Sequence, residues 1–372
     1  MKLELVATCL FGLEKLLGEE IEALGYEKIS TIDGRVTFLG DEEALALSNI
    51  FLRYAERVFI KVGSFHAESF DELFEGTKKL PWHEFIGRDD AFPVKGHAIK
   101  SALHSIPDCQ AITKKAIVKA MTECYGITEF PETGIKYQIE FFILNDEATL
   151  MIDTSGVALH KRGYRKHALG APIRETLAAA IAATSRPREN VLLWDPMCGS
   201  GTIAIEAAMK MKNIAPGKSR RFAAEEFSFI DSSVWKRARE EAIEGEIKTD
   251  FEVFASDIDP DAVALAAKNA RLAGVDDVVK IFSMDARKIS APGRRATIVT
   301  NPPYGERLGT LREAEALYRE IGVHFRSLAP WQVYIITSHP AFERFYGKKA
   351  DKVRKLYNGM LPCYLYQYFK NK

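Results

Sequence analysis

Four short segments carry residue types that can do chemistry together. The first, DPMCGSGT, begins at Asp195 and places Gly199 and Gly201 between an apolar run and a helix-like stretch. Glycines there let the backbone turn sharply and approach a ligand closely. No lysine follows the second glycine, so a phosphate-cradling P-loop does not fit. The second, SDID, puts Asp257 and Ile258 after another apolar run, where a carboxylate can accept from both hydroxyls of a ribose. Asp259, followed by Pro260, reads instead as a helix cap. The third, MDA, places Asp285 and Ala286 where a carboxylate can accept from an amino group on a purine ring. The fourth is NPPYG, from Asn301. Pro302 and Pro303 stiffen the chain and remove two N–H donors, leaving carbonyl acceptors. The Asn301 side-chain oxygen and the Pro302 carbonyl can each take one hydrogen of a planar NH2 group. Tyr304 can stack on the ring that carries it.

Any one of these has a bland reading: a tight turn, a cap, a proline-braced loop. A glycine turn, one acid after the next strand and another after the third make an adenosine-shaped set.

The elements that must position them follow from periodicity. Strand patterns at 191–194, 252–256, 278–283, 297–300 and 332–337 alternate with helical ones, predicting a parallel sheet covered by helices. Strands at 352–357 and 360–369 flank Asn358-Gly359, a hairpin signal. In such sheets ligands sit beyond the carboxyl ends of the strands, where the four segments fall. At the other end of the chain, strands at 3–8, 28–32, 35–39 and 57–65 and helices at 10–24 and 41–52 give β-α-β-β-α-β, the ferredoxin-like order. Asp33-Gly34 marks its hairpin. Helices at 70–80 and 111–124 then alternate with strands at 91–101, 135–144 and 147–153, the last two around an Asn145-Asp146 turn.

Composition narrows the function classes. The chain has 372 residues, 47% hydrophobic and 27% charged, with zero formal net charge. That excludes disordered, collagen-like and coiled-coil chains. No apolar run approaches the ~20 residues of a bilayer span. The start, MKLELVATCLFG, lacks the apolar core of a secretory signal. Five scattered cysteines without CxxC spacing suit neither a disulfide framework nor a zinc site, so a cytoplasmic protein without metal is expected. The zero charge hides a split: residues 1–158 hold 16 basic and 26 acidic residues, residues 159–372 hold 35 and 25. Two windows are basic, 93–120 and 161–174. They offer Lys114, Lys115 and Lys119 on a predicted helix, and Lys161, Arg162, Arg165 and Lys166 around Tyr164. Cations interleaved with an aromatic suit phosphate contacts plus one stacked base. A solvated face is the plain alternative.

DPMCGSGT, SDID, MDA and NPPYG, in this order and spacing, resemble the motifs of S-adenosyl-methionine-dependent amino methyltransferases. NPPY is shared by adenine, guanine and cytosine amino methyltransferases and by protein-glutamine methyltransferases. LHKRGYRKHALGAPIRETLAAAI, residues 159–181, is similar to the junction between a THUMP RNA-binding domain and the catalytic domain in guanine-N2 RNA methyltransferases of the RlmL type. The likeness covers essentially the whole chain. It implies an α/β fold: a ferredoxin-like segment (1–62), a THUMP domain (63–158) and a class I methyltransferase (159–372) with a doubly wound, mostly parallel seven-stranded sheet. It further implies S-adenosyl-methionine as cofactor, held by Asp195, Cys198, Gly199, Gly201, Thr202, Asp257, Ile258, Asp285, Ala286 and Asn301. Asn301, Pro302, Pro303 and Tyr304 become the catalytic segment and the exocyclic N2 of a guanine in 23S rRNA the target, the alternatives being a tRNA guanine or an RNA-binding protein with an inactive methyltransferase fold.

Overall fold

Alternating apolar residues in the first sixty positions make strands that bury one side, apart from the exposed edge strand at 28–32. A computed structural model of the chain describes residues 1–165, 173–303 and 311–369. It begins β1 (Leu3–Cys9), α1 (Glu14–Ala23), β2 (Lys28–Ile32), β3 (Arg35–Gly40), α2 (Glu42–Phe51) and β4 (Ala55–His66). The spatial order β2-β3-β1-β4 is the ferredoxin-like one expected. The first helix starts four residues later than its periodicity predicts. Gly12, at φ 91°, turns the chain, and its N–H donates to the Glu14 carboxylate (2.9 Å). Leu10 and Leu13 are therefore buried without being helical.

The chain continues with α3 (Phe70–Lys78), β5 (Val94–Ile99), α4 (Ile106–Tyr125), β6 (Ile139–Leu144) and β7 (Glu147–Asp153). The strands predicted at 91–101 and 135–144 are shorter, and Ala91 and Lys136 meet only in an isolated bridge. The helix α4 is longer than predicted because Pro107 lies in its first turn, where a missing N–H costs nothing. Asn145 and Asp146 sit at φ 50° and 63°, the two positive values a tight type I′ hairpin demands. The long strand β4 pairs with β1 through residues 55–60 and with β7 through residues 59–66. Its two partners join everything into a single seven-stranded sheet, β2-β3-β1-β4-β7-β6-β5.

The C-terminal half adds α5 (Glu175–Thr184), β8 (Leu192–Asp195), α6 (Thr202–Met211), α7 (Ser232–Glu244), β9 (Val253–Asp257), α8 (Pro260–Ala273) and β10 (Val279–Ser283). It closes with β11 (Ala296–Thr300), α9 (Leu311–Ser327), β12 (Gln332–Thr337), α10 (Phe342–Tyr346), β13 (Lys352–Asn358) and β14 (Leu361–Tyr368). The order is β10-β9-β8-β11-β12-β14-β13, parallel except for β14, which runs antiparallel to both neighbours. This is the mostly parallel seven-stranded sheet expected. The winding direction reverses between β8 and β11, so a crevice opens beyond their carboxyl ends. A continuous apolar core links the two sheets, with the alanines of α5 (Ala178–Ala182) packed against the small residues of α6.

The segment GKSRR docks the two halves. The Gly217 N–H donates to the Ile50 carbonyl (2.8 Å), and a Cβ there would lie 2.7 Å from the Ile50 backbone. Arg220 donates to the carbonyls of Val157, Ala158 and Leu159. Among the described residues no helix is long and apolar enough to cross a membrane.

Candidate active site

The glycine turn is built by backbone bonds that pull β8 and β9 together. The Cys198 N–H donates to the Ser256 carbonyl (3.0 Å) and the Gly201 N–H to the Cys198 carbonyl (2.8 Å). Gly199 (φ 51°) and Gly201 (φ 79°) occupy the left-handed region, which glycine enters without steric cost. The space beside Gly199 is open, whereas a Cβ on Gly201 would lie 3.1 Å from Ala266. One glycine thus leaves room on the crevice side, and the other lets α6 start close against α8.

Asp257 braces this turn before any ligand arrives. One carboxylate oxygen accepts from the Gly199 N–H (2.9 Å) and the other from the Asp259 N–H (3.1 Å). Asp259 itself accepts from the Asp261 N–H and caps α8, as its sequence context predicts. Beside it Ile258 is 64% exposed, an apolar surface standing free at the crevice rim. Asp285 accepts from the Arg287 N–H (2.9 Å) and from that residue's guanidinium (2.6 Å), and Arg287 also reaches Glu320. The Arg287 hydrogen bond holds the Asp285 carboxyl below its ordinary value. Ala286 is buried beneath it.

Asp195 ends β8 in full burial. It accepts from the Thr300 hydroxyl across the sheet (2.7 Å) and weakly from the Met197 N–H (3.4 Å). Burial pushes its carboxyl up to about 7, the Thr300 bond opposes this, and Asp257 adds to it. Burial likewise raises the Cys198 thiol, so its sulfur stays protonated at neutral pH.

Thr300 is the last residue of β11, and Asn301, Pro302 and Pro303 leave the strand directly after it. The Tyr318 hydroxyl donates to the Pro303 carbonyl (3.1 Å) and lies 3.2 Å from the Thr337 hydroxyl. The proline segment is thus pinned at one end by Thr300–Asp195 and at the other by Tyr318. No motif in the sequence points to Tyr318 or Thr337, which lie on α9 and β12. Tyr304, the expected stacking residue, lies outside the described residues, as does Lys166.

The expected RNA-contacting residues divide. Lys115, Lys119 and Lys161 are exposed, Lys119 in a solvent-facing pair with Glu123 (3.5 Å). Lys114 bonds the Phe92 carbonyl (3.2 Å) and Glu132 and lies over the Phe92 ring, so its charge is already partnered. Arg162 and Tyr164 are a correction: both are buried, at 5% and 4% exposure. Arg162 donates to the carbonyls of Leu159 and Arg53 and faces Glu206 at 3.5 Å, and the Tyr164 hydroxyl donates to the same carboxylate (3.0 Å). Arg165 reaches the Ile173 carbonyl (2.9 Å), the Thr202 hydroxyl (3.1 Å) and Glu175 (2.9 Å). The Thr202 side chain therefore faces this junction and the Ser200 hydroxyl (3.0 Å). A run of cations with an interleaved aromatic reads alike whether it coats a surface or fills a polar interior. Here Glu206 and Glu175, both buried, decide for the interior. Among the described residues no group of three or more His, Cys, Asp or Glu side chains could hold a metal ion.

The arrangement fits a nucleoside-bearing donor: open space at Gly199, a carboxylate at Asp257, an exposed apolar side chain at Ile258. Comparison with known proteins agrees in order and extent. Residues 162–367 match the UPF0020 family, described as an RMKL-like methyltransferase domain. Residues 4–59 match the RlmL ferredoxin-like domain, and residues 67–153 the THUMP domain. A Bacillus subtilis (strain 168) protein named "Putative RNA methyltransferase YpsC" is 44% identical over 99% of this chain and 96% of its own length. The "Ribosomal RNA large subunit methyltransferase K/L" of Psychromonas ingrahamii is 34% identical over 96% of this chain, which spans 49% of that longer protein. The crystal structure of SMU.472 "complexed with SAH" is 42% identical and superposes with a TM-score of 0.92, covering 100% of this chain and 99% of that one.

Proposed function

Because this chain belongs to the RMKL-like methyltransferase family and carries RlmL ferredoxin-like and THUMP domains, we propose that it methylates the exocyclic N2 of a guanine in 23S rRNA. S-adenosyl-methionine is the cofactor, and when bound it supplies an electrophilic methyl group. The observation that carries the reading is the placement of Asn301 and Pro302 at the switch point, tied to the glycine turn through Thr300 and Asp195. A family relative whose name specifies large-subunit ribosomal RNA supports the choice of RNA. The exposed Lys115 suits a phosphate contact by the THUMP domain, and Lys119 can exchange its exposed Glu123 partner for one.

The residues of the chain do three things. Asp257 and Ile258 hold the nucleoside part of the donor, and Asp195 presents a carboxylate to its cationic end. Asn301 and Pro302 accept the two hydrogens of the guanine amino group, so that its nitrogen lone pair points out of the ring plane. Alignment of the reacting atoms at roughly 3–3.5 Å then supplies most of the acceleration, without a covalent enzyme intermediate. The target base leaves its stack at a cost of a few kcal/mol, offset by contacts in the crevice. Mass spectrometry of nucleosides in rRNA and tRNA from a deletion strain tests this. Loss of N2-methylguanosine from 23S rRNA is expected; an unchanged 23S profile overturns the target.

Two results follow for the donor site. Asp257→Ala removes charged hydrogen bonds worth about 1.5–3 kcal/mol and frees the Gly199 N–H, so donor affinity falls ~10- to 100-fold by calorimetry. Wild-type affinity in that variant removes Asp257 from the site. Asp195 makes donor binding pH-dependent. With its carboxyl near 7, it is mostly neutral at pH 6 and ionised at pH 8. A cationic ligand needs the ionised form, so affinity rises about tenfold over that interval, one pKa unit being 1.36 kcal/mol. Asp195→Asn flattens the profile. A flat wild-type profile rejects the assignment.

A further inference from the structure

The opposite end of the catalytic sheet holds a cleft of about 750 Å³ that the transfer reaction does not use. It lies where α1 of the N-terminal module meets the starting ends of β11 and β12 and the β13–β14 hairpin. Six cations line it: Lys15, Arg186, Arg188, Arg295, Lys352 and Arg354. The one acid among the lining residues is Glu19, 3.7 Å from Lys15 in an exposed pair. Among the described residues the five others have no carboxylate within ion-pair distance. Other basic strand residues, Lys61 with Glu4 and Lys280 with Glu252 among them, do have a carboxylate partner. A concave site walled by one sign of charge focuses its potential outward and raises the local concentration of anions. In a chain of zero net charge it is a local feature, not a reflection of bulk composition.

Arg186 adds an independent observation. It follows the C-cap of α5 at φ 52°, the left-handed position where helices ordinarily place glycine. A non-glycine residue there meets a steric penalty that glycine avoids. Such outliers gather where a side chain has a task. The side chain retained at this cost is a guanidinium on the cleft wall.

We propose that this cleft grips backbone phosphates of the substrate RNA, away from the base being methylated. The inference rests on the RNA reading above and extends it to a second contact region. Ala296 and Thr297 line the cleft at one end of β11, and Asn301 follows its other end. At about 3.3 Å per residue Asn301 lies roughly 16 Å from Ala296. Phosphate contacts at that remove hold register and carry no base specificity. They therefore contribute to affinity and leave the transfer step unaltered.

The test uses the full-length triple variant Arg186→Gly, Arg188→Gln and Arg354→Gln. Glycine suits the backbone of position 186, so that substitution keeps or raises stability. Affinity for a 23S rRNA fragment is measured at several salt concentrations, together with donor affinity, kcat at saturating RNA and melting temperature. Expected are an RNA Kd at least tenfold higher and a salt slope shallower by roughly one per cation removed. Donor affinity and kcat stay at wild-type values. If the triple variant melts lower, Arg186→Gly alone is read, with a slope change of about one. Wild-type Kd and slope in a stable variant overturn the cleft assignment while leaving the methyltransferase reading intact. A wild-type protein that neither binds nor methylates RNA overturns both. Pyrophosphate binding that the variant loses without any change in RNA affinity assigns the cleft to a free phosphorylated molecule, and so overturns it too.

Discussion

Asn301→Ala lowers kcat by about 10²–10³-fold or more and leaves the Kd of S-adenosyl-methionine within a few-fold of wild type. The magnitude is that of removing one preorganised polar group from a site where charge develops. A guanine amino nitrogen shares its lone pair with the ring, so transfer requires that both its hydrogens be held while the nitrogen pyramidalises. In the proposed arrangement Pro302, which has no N–H, contributes its carbonyl, which leaves the Asn301 amide as the partner for the second hydrogen. The variant folds, because Asn301 is half-buried at a strand end whose geometry is held from outside by Thr300 and Tyr318. Single-turnover transfer to 23S rRNA, with the donor Kd from calorimetry, separates the two effects. Turnover at the wild-type rate would place the amino group elsewhere.

Arg162→Leu has the largest expected effect on stability. Its guanidinium is the cation nearest Glu206, whose side chain is fully buried, and removing one member of a buried pair typically costs ~3–5 kcal/mol. Urea unfolding should show that loss at unchanged m-value. The double variant Arg162→Leu with Glu206→Leu should recover much of it, because the stranded charge is then gone. Since Glu206 lies on α6, the helix that follows the glycine turn, donor affinity falls with the single variant and recovers with the double. An Arg162→Leu protein of wild-type stability that fails to bind RNA would return this residue to the phosphate-contacting role its neighbourhood in the sequence suggests.

Asn301 at its strand end and Arg162 in its buried pair differ in how much of their surroundings the sequence reveals. Gly199, Gly201, Asp257 and the Asn301–Pro303 segment are legible because each answers a local demand: a positive φ, an acid at a strand end, a stretch without N–H donors. The partners that hold them are not legible. Tyr318 reaches Pro303 from 15 positions away in the chain, and Thr300 meets Asp195 across 105. Nothing in the residues around them encodes those approaches. Burial is invisible for the same reason: Lys161 and Arg162 are neighbours of equal charge, and only the second turns inward toward Glu206. The ferredoxin-like order was readable from six periodic segments, but the length of β4 was not. Periodicity stops at Phe65 and does not reveal that one strand serves two partners.

The shared strand β4 has a mechanical consequence. A cut near residue 63 would bare a row of unpaired backbone donors and acceptors, an invitation to adhesive stacking between molecules. The two front modules consequently cannot swivel independently, and they behave as one stiff lever. Any bending between this lever and the rest of the chain must be absorbed behind it, where Glu56 grips His160, Arg174 and Thr176.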